Sequence, residues 1–521
     1  MKTYINIAKS IAAASVLSAI LAGCSEDTMD KINKDNNHTN RVDARFILTD
    51  VITSTAFSNV GGDFNTYGSS YIEYEVGIDN QLYNAEIRLN EPSASTTFNN
   101  TWGGMYTTLK NARIAIEQCQ EGGRDEGNDI TRGIGEVLAA YNSALLTDMF
   151  GNTPYSEAAL ADEDGAPVYM LPKIDEQEAI YSETMQLLDK ALADLQLTDK
   201  TPIGNSDLMY GGDADKWIKL AYGLKARYTM RLIGRSANRE QDLKNVLDYV
   251  SKSFTSAEEQ AEFALYDANN INPLYGFFEA RAALATSESL GEKLAERKDP
   301  RMHRAILSPA ANGVRTQVTG STDKNYVPAP NGSPEQSMQK YGVSVFMFSQ
   351  TAPTIVLSYH ELKFLEAEAL CRLGRKDEAE PVLKEAVIAG LANAERSIAS
   401  AVTRLGKEMV STSSPVTDEE AATYFDTAVK PLFAANPLKE TMIQKYLALW
   451  GASGEATETY NDVRRLKGMG EDFITLKNKN KFPLRTPYGN SDTSANPVVK
   501  EAYGNGQYVY SEPVWWAGGT R

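Results

Sequence analysis

The sequence predicts a mainly α protein, and three observations carry that reading. Trp217, Leu220, Ala221, Leu224, Tyr228 and Leu232 recur at three- and four-residue steps, which places them on one face of a helix. From Ser358 two further helical patterns run almost back to back, parted at Gly374, as in a helical hairpin of the tetratricopeptide kind. Strand-like runs are few and short, for instance 343–348, so minor β-hairpins are all that is expected beside the helices.

In chain order, residues 1–23 read as a lipoprotein signal peptide. Lys2 and Lys9 supply a positive lead, and residues 11–22 give about a dozen mostly apolar positions, too few to span a bilayer. Leu21-Ala22-Gly23-Cys24 closes that run, with small side chains before a thiol that can carry a diacylglyceryl group. Cys24 is therefore expected to be lipidated and to begin the mature chain. Each buried methylene contributes about 0.8 kcal/mol to membrane attachment, so two or more acyl chains anchor the protein without a crossing segment. Residues 24–42, Asn-rich at 33–40, bury too little apolar surface to order themselves and read as a lipidated flexible tether. Residues 43–521 form the folded body.

Within that body, Asp213 or Asp215 is placed to cap a helix over 216–232, whose return partner runs over 240–251. Ser358-Tyr359-His360-Glu361 has capping-box spacing and opens a helix with Leu362, Leu365 and Ala369 inward, answered by Ala379, Leu383 and Ala386. The stretches 135–150 with 178–195, and 441–450 with 455–466, complete four hairpins. One hairpin cannot bury its own apolar face; four can stack as a solenoid. The Asn-rich interval 265–275 and the three-proline interval 326–335 are unlike repeat linkers, and such insertions usually carry recognition surfaces.

Composition excludes several classes. The formal charge of -17 becomes -19 once the signal's Lys2 and Lys9 are removed, which repels phosphate backbones, so nucleic acid is not expected as a partner. Beyond Cys24 only Cys119 and Cys371 remain, far apart, and they read as buried small hydrophobes. The histidines are His38, His303 and His360, with no metal-ligand spacing, so no metal or cofactor is expected. Asp162-Glu163-Asp164-Gly165 and Asp267-Ala268-Asn269-Asn270 are oxygen-rich but complete no calcium loop. Ser337-Met338-Gln339-Lys340 has Ser-Lys spacing without its companion motifs, and no catalytic residues are assigned.

Binding chemistry is more visible. Tyrosine is the commonest aromatic, 26 residues against 16 Phe and 5 Trp, and a phenol offers an apolar ring face with a hydroxyl. Tyr67, Tyr71, Tyr74 and Tyr83, followed by Phe98 and Trp102, form the densest cluster. Tyr67, Tyr71 and Tyr74 share helical spacing, which favours a core stripe over a ligand platform. The 267–278 loop places Asn269, Asn270 and Asn272 beside Tyr275 and Phe277, where amides can bond hydroxyls. Tyr341, with Phe346 and Phe348, is a third candidate, although alternation there suggests a strand with one buried face.

Several segments together resemble the SusD/RagB family of outer-membrane lipoproteins, in its SusD-like branch of starch-binding proteins associating with the outer membrane. They are Ala144-Leu145-Leu146-Thr147-Asp148-Met149-Phe150-Gly151-Asn152-Thr153-Pro154-Tyr155, the helix with Arg227 and Arg231, and Arg297-Lys298-Asp299-Pro300-Arg301. Tyr460-Asn461-Asp462-Val463-Arg464-Arg465, Arg485-Thr486-Pro487-Tyr488 and the terminal Val514-Trp515-Trp516 complete the set. The resemblance implies a SusD-like fold and a non-enzymatic, surface-exposed receptor that captures oligosaccharides. It implies delivery to a SusC-like TonB-dependent transporter, with peptide as the alternative cargo. It also implies that the helices scaffold while the insertions meet ligand, so the quoted strings read as structural. Ser25-Glu26-Asp27 resembles the acidic signal that directs such lipoproteins to the cell surface. A helical glycosidase, which needs two carboxylates across a cleft, is the competing class.

Overall fold

Apolar residues at helical period must be covered, and the chain covers them by stacking helix pairs. The computed structural model describes residues 42–92, 98–162, 165–401, 409–504 and 508–521. Cys24, the signal peptide and nearly all of the tether lie outside the described residues.

The body opens with α1 (Ala44–Ser54), whose Ile47, Leu48, Val51 and Ile52 face inward, followed by a π-helical turn, Thr55–Val60. Next come α2 (Asp63–Tyr71), α3 (Asn80–Ile87) and the long α4 (Asn99–Cys119), which packs on α1. The first expected hairpin is α5 (Asp129–Phe150) against α6 (Gln177–Asp194). Its corner follows the residue chemistry of the 150–155 string. Gly151, at φ 80°, ends α5; the Asn152 side chain accepts from Gln177 N at 2.9 Å; and Tyr155 bonds Ser143 at 2.9 Å.

The second hairpin is α7 (Ala214–Arg231) with α8 (Arg239–Ser251). Asp213 is the α7 cap, accepting from Asp215 N and Lys216 N. The third is α12 (Tyr359–Arg372) with α13 (Lys376–Ala399), turned at Gly374 with φ 75°. Between them lie α9 (Pro273–Arg281), α10 (Glu288–Arg297) and the short α11 (Arg301–Ala305). After α13 come α14 (Asp418–Tyr424), α15 (Lys430–Ala435), and the fourth pair, α16 (Pro437–Ala448) and α17 (Ala456–Gly468). Lys445 and Asp462 join that pair at 2.7 Å, while α16 lies on α12 and α13 and α17 packs on α2. The chain closes through α18 (Asn490–Ala495) and α19 (Pro497–Tyr503).

Buried ion pairs tie the hairpins together. Arg227 on α7 bonds Glu361 on α12 through two nitrogens, at 2.9 and 2.5 Å, and Arg465 on α17 bonds Glu368 on α12 at 2.7 and 2.9 Å. The Arg227 contact also explains a departure from the expected capping box. Ser358 Oγ accepts from Glu361 N at 3.1 Å, but the Glu361 carboxylate is engaged by Arg227 and does not return to the cap.

Strands are short and paired in twos. The antiparallel pairs are Glu75–Gly77 with Leu284–Thr286, Thr153–Pro154 with Ile174–Asp175, Ala261–Phe263 with Thr354–Leu357, and Ile306–Leu307 with Val343–Ser344. Arg315–Thr316 and Met409–Val410 pair in parallel. The strand expected over 343–348 stops at Ser344. Val345–Phe348 turns into a 3₁₀ helix because Val345, Phe346 and Met347 are all buried, and a strand would put alternate residues outward. The 265–275 interval is likewise not all loop, since α9 begins at Pro273.

Candidate ligand-binding groove

A groove of about 500 Å³ lies where the first helices meet the insertion between the second and third hairpins. The π turn supplies one wall. Accommodating an extra residue in a helical turn, it presents Phe57 to solvent at 43 % exposure and sets Asn59 in the floor. Gly61 and Gly62 then lead into α2. A Cβ on Gly61 would stand 2.8 Å from Cγ of Pro273, so this backbone approach needs glycine.

The opposite wall is α9, and one residue places it. Asn272 Oδ1 accepts from Leu274 N (2.9 Å) and Tyr275 N (3.4 Å), while its Nδ2 donates to the carbonyls of Ala352 (2.8 Å) and Ala452 (3.1 Å). The helix thus starts from a fully used amide, and its Phe277 and Arg281 reach the groove. The Arg281 guanidinium lies 5.2 Å from the Phe277 ring centre. Asn100, Thr101 and Gly104 of α4 close the third side. Asp63 accepts from Thr101 Oγ1 at 3.0 Å. Asn59 donates to Asn142 at 2.8 Å while its Oδ1 has no hydrogen-bond partner. Tyr266 stands behind Phe57 at 6.3 Å between ring centres, its hydroxyl pushed up to about 12 by burial. Two ring faces, an amide, a carboxylate and a guanidinium on anchored elements form a surface suited to a hydroxyl-bearing ligand.

Of the sequence candidates, Asn272 and Phe277 meet in this groove. The others lie elsewhere. Tyr67, Tyr71 and Tyr74 are buried: Tyr67 packs on Phe98 at 4.9 Å, Tyr71 on Tyr460 at 5.7 Å, and the Tyr74 hydroxyl bonds Thr459 at 2.8 Å. Tyr83 is half-buried on α3. Tyr275 is buried, and Tyr341 is buried with its hydroxyl accepting from Glu335 N at 2.9 Å. Asp267 spends its carboxylate on Asn269 N and Asn270 N, both at 2.7 Å. Phe57, Asn59, Asp63 and Arg281 are not among those candidates. Gly61-Gly62 before Asp63 is the one sequence sign of a close approach here; nothing in the sequence marks the π turn.

Trp102 lines a second groove, of about 310 Å³, on another side of α4. Two of its donors are already used: Trp102 Nε1 donates to Asp492, and the Tyr106 hydroxyl donates to the carbonyl of Pro154 at 2.7 Å. Burial raises the Asp492 carboxyl while the Trp102 bond opposes it. With Leu160, Pro167, Tyr169 and Pro172, the walls are mostly apolar. A third groove, of about 500 Å³, borders Lys298 and His303 and the other π segment, Phe425–Val429; burial, then Arg304, lowers the His303 pKa. Among the described residues there is no cluster of three or more metal-ligating side chains, and no helix is long and apolar enough to cross a membrane.

A stacked-hairpin scaffold that carries an open aromatic and polar groove in its insertions defines a class of helical binding protein. The chain belongs to the SusD-like family described as starch-binding associating with outer membrane, whose model matches residues 35–488. A SusD/RagB family protein from Bacteroides thetaiotaomicron is 62 % identical, with TM-score 0.88 over 92 % of this chain and 100 % of that one. A SusD homolog from Bacteroides fragilis (20 % identical, TM-score 0.70, 91 % and 100 % covered) and a chitin-binding protein (19 %, 0.68, 91 % and 99 %) share the fold. No curated protein matches the chain in sequence.

Proposed function

We propose that this chain is a lipid-anchored, surface-exposed binding protein that captures oligosaccharides and delivers them to a SusC-like TonB-dependent transporter. The observation that carries the reading is the Phe57–Phe277 groove, where ring faces stand beside Asp63, Asn100 and Arg281. Sugars present apolar C–H faces and hydroxyl rims, and such a wall meets both. Membership of a family named for starch binding at the outer membrane supports the cargo class and the location. The chitin-binding relative, described so in its own right, is consistent with glycan capture on this fold. Titrating a glycan array against the full chain tests the reading. Phe57→Ala and Phe277→Ala are each expected to weaken the best glycan about tenfold, the loss of one stacking ring. Binding unchanged in both variants, or glycan turnover abolished by one carboxylate substitution, would overturn it.

A peptide receptor is the second reading, favoured by the Trp102 groove, whose proline-lined, mostly apolar walls, with the Trp102 and Tyr106 donors already engaged, suit apolar side chains better than hydroxyls. Peptide binding lost in Tyr106→Ala and kept in Phe57→Ala would select it.

A further inference from the structure

Resting on the oligosaccharide reading, we infer that the Phe57–Phe277 groove selects an acidic oligosaccharide, with the Arg281 guanidinium receiving a uronate carboxylate. Arg281 is exposed at the last turn of α9 and lines the groove. Among the described residues it has no hydrogen bond and no carboxylate within ion-pair distance, whereas most arginines here are committed, as Arg227, Arg297, Arg301, Arg304, Arg372 and Arg465 are. Its guanidinium carbon lies 5.2 Å from the Phe277 ring centre, so the ring packs beside the cation while its N–H groups stay unpaired. A guanidinium fork matches a planar carboxylate in two parallel bonds, and that match separates a uronate from its neutral twin.

The rest of the lining divides the groove's chemistry. Asp63 lines the same groove, but its carboxylate accepts from Thr101 Oγ1 at 3.0 Å on the α4 side. Gly62, the residue before α2, brings no side-chain oxygen to the first amides of that nine-residue helix. Asn59 is buried beneath the floor, its amide donating to Asn142 at 2.8 Å, while the exposed Asn100 lines the groove and offers an amide to a sugar hydroxyl. Acidic and neutral demands are therefore divided: Arg281 for the carboxylate, Asp63 and Asn100 for hydroxyls, Phe57 for a ring face. In a chain of formal charge -17, long-range attraction cannot supply selectivity for anions, and a local fork must.

The experiment measures binding of the full chain to uronate-bearing oligomers of galacturonate, glucuronoxylan and alginate type, each beside its carboxyl-reduced counterpart and a sulfated neutral oligomer. The acidic member of at least one pair is expected to bind about tenfold or more tightly than its reduced twin, as a charged hydrogen-bonded pair does. Arg281→Gln should erase that preference, the acidic oligomer falling to the affinity of its reduced twin, and Arg281→Lys should restore only part of it, because the charge returns without the fork. Preference absent from every pair, or kept in Arg281→Gln, overturns the inference. A sulfated oligomer preferred over all uronates also overturns it, assigning the cation to sulfate. If neutral glycans bind and Phe57→Ala weakens that binding about tenfold, the oligosaccharide reading survives the loss of this inference; if no glycan binds, both fall.

Discussion

Glu75 shows what a single side chain does to the pH behaviour of this fold. It lies buried in the strand Glu75–Gly77, accepting from Ser344 Oγ at 3.0 Å and Trp450 Nε1 at 3.2 Å, with Oε2 unpartnered. Burial pushes its carboxyl up to about 8, against the opposing effect of those two bonds. The folded chain therefore holds a proton that the unfolded chain releases near its ordinary value of 4.5. Because the native state binds more protons across that window, stability is full below the lower value and falls as pH rises from there through about 8. Glu75→Gln removes the titration while keeping an acceptor and a donor. Its unfolding midpoint is expected to vary less with pH than the parent's between pH 5 and 8, and to exceed it at pH 8. The ceiling on that difference is about 1.4 kcal/mol for each pH unit separating the folded and unfolded titrations. Urea unfolding at the two pH values checks this; parallel pH profiles for the two proteins would refute it.

Among the helices, α9 is held by its first turn. Asn272 uses both ends of its amide, two amides of α9 on one side and two carbonyls of distant loops on the other. Asn272→Ala is expected to cost about 2 kcal/mol, the sum of a lost cap and two orphaned carbonyls, and to weaken groove ligands with it. Asn272→Asp keeps the cap but turns a carboxylate toward the Ala352 and Ala452 carbonyls, and should cost more. Denaturant midpoints would decide, and an order of Ala below Asp in stability would contradict the assignment. This helix also marks how far the fold is legible in the sequence. Helix pairs such as α5 with α6 are readable because each presents one apolar face at fixed period, and Asp213 and Gly374 are readable because caps and turns have specific chemistry. Asn272-Pro273 is the same kind of signal, an N-cap followed by proline at the first helical position, yet the surrounding asparagines give the stretch the composition of a loop. The two π segments have no legible sign, since their extra residue is a tertiary accommodation. For that reason Phe57 carries no sequence signal, while Tyr67, Tyr71 and Tyr74 carry one through their helical spacing and lie in the core.

Across the body, the C-terminal segment straps separate hairpins together. Trp516 is buried with Arg464 at 4.9 Å and Arg231 at 5.2 Å from its ring, its backbone N donates to Gln177 at 3.0 Å, and Arg235 holds the Trp515 carbonyl at 2.7 Å. Contacts to α6, α7 and α17 tie the helical body together. Residues 24–42, expected as a tether, would span at most roughly 65 Å if fully extended, enough to let an acidic body stand clear of an anionic membrane surface while staying beside it. A mature chain of formal charge -19 has no electrostatic reason to adhere to that surface, so the proposed acyl group on Cys24 would be the attachment. Cys24→Ser is therefore expected to move the protein from the detergent phase to the aqueous phase on Triton X-114 partition, and from the membrane to the soluble fraction of cells. Its groove affinity should be unchanged, because the substitution lies outside the body. Retention of Cys24→Ser in the detergent phase would mean that another part of the chain binds lipid, and the exposed run Val168, Tyr169, Met170 and Leu171 would be the first surface to substitute.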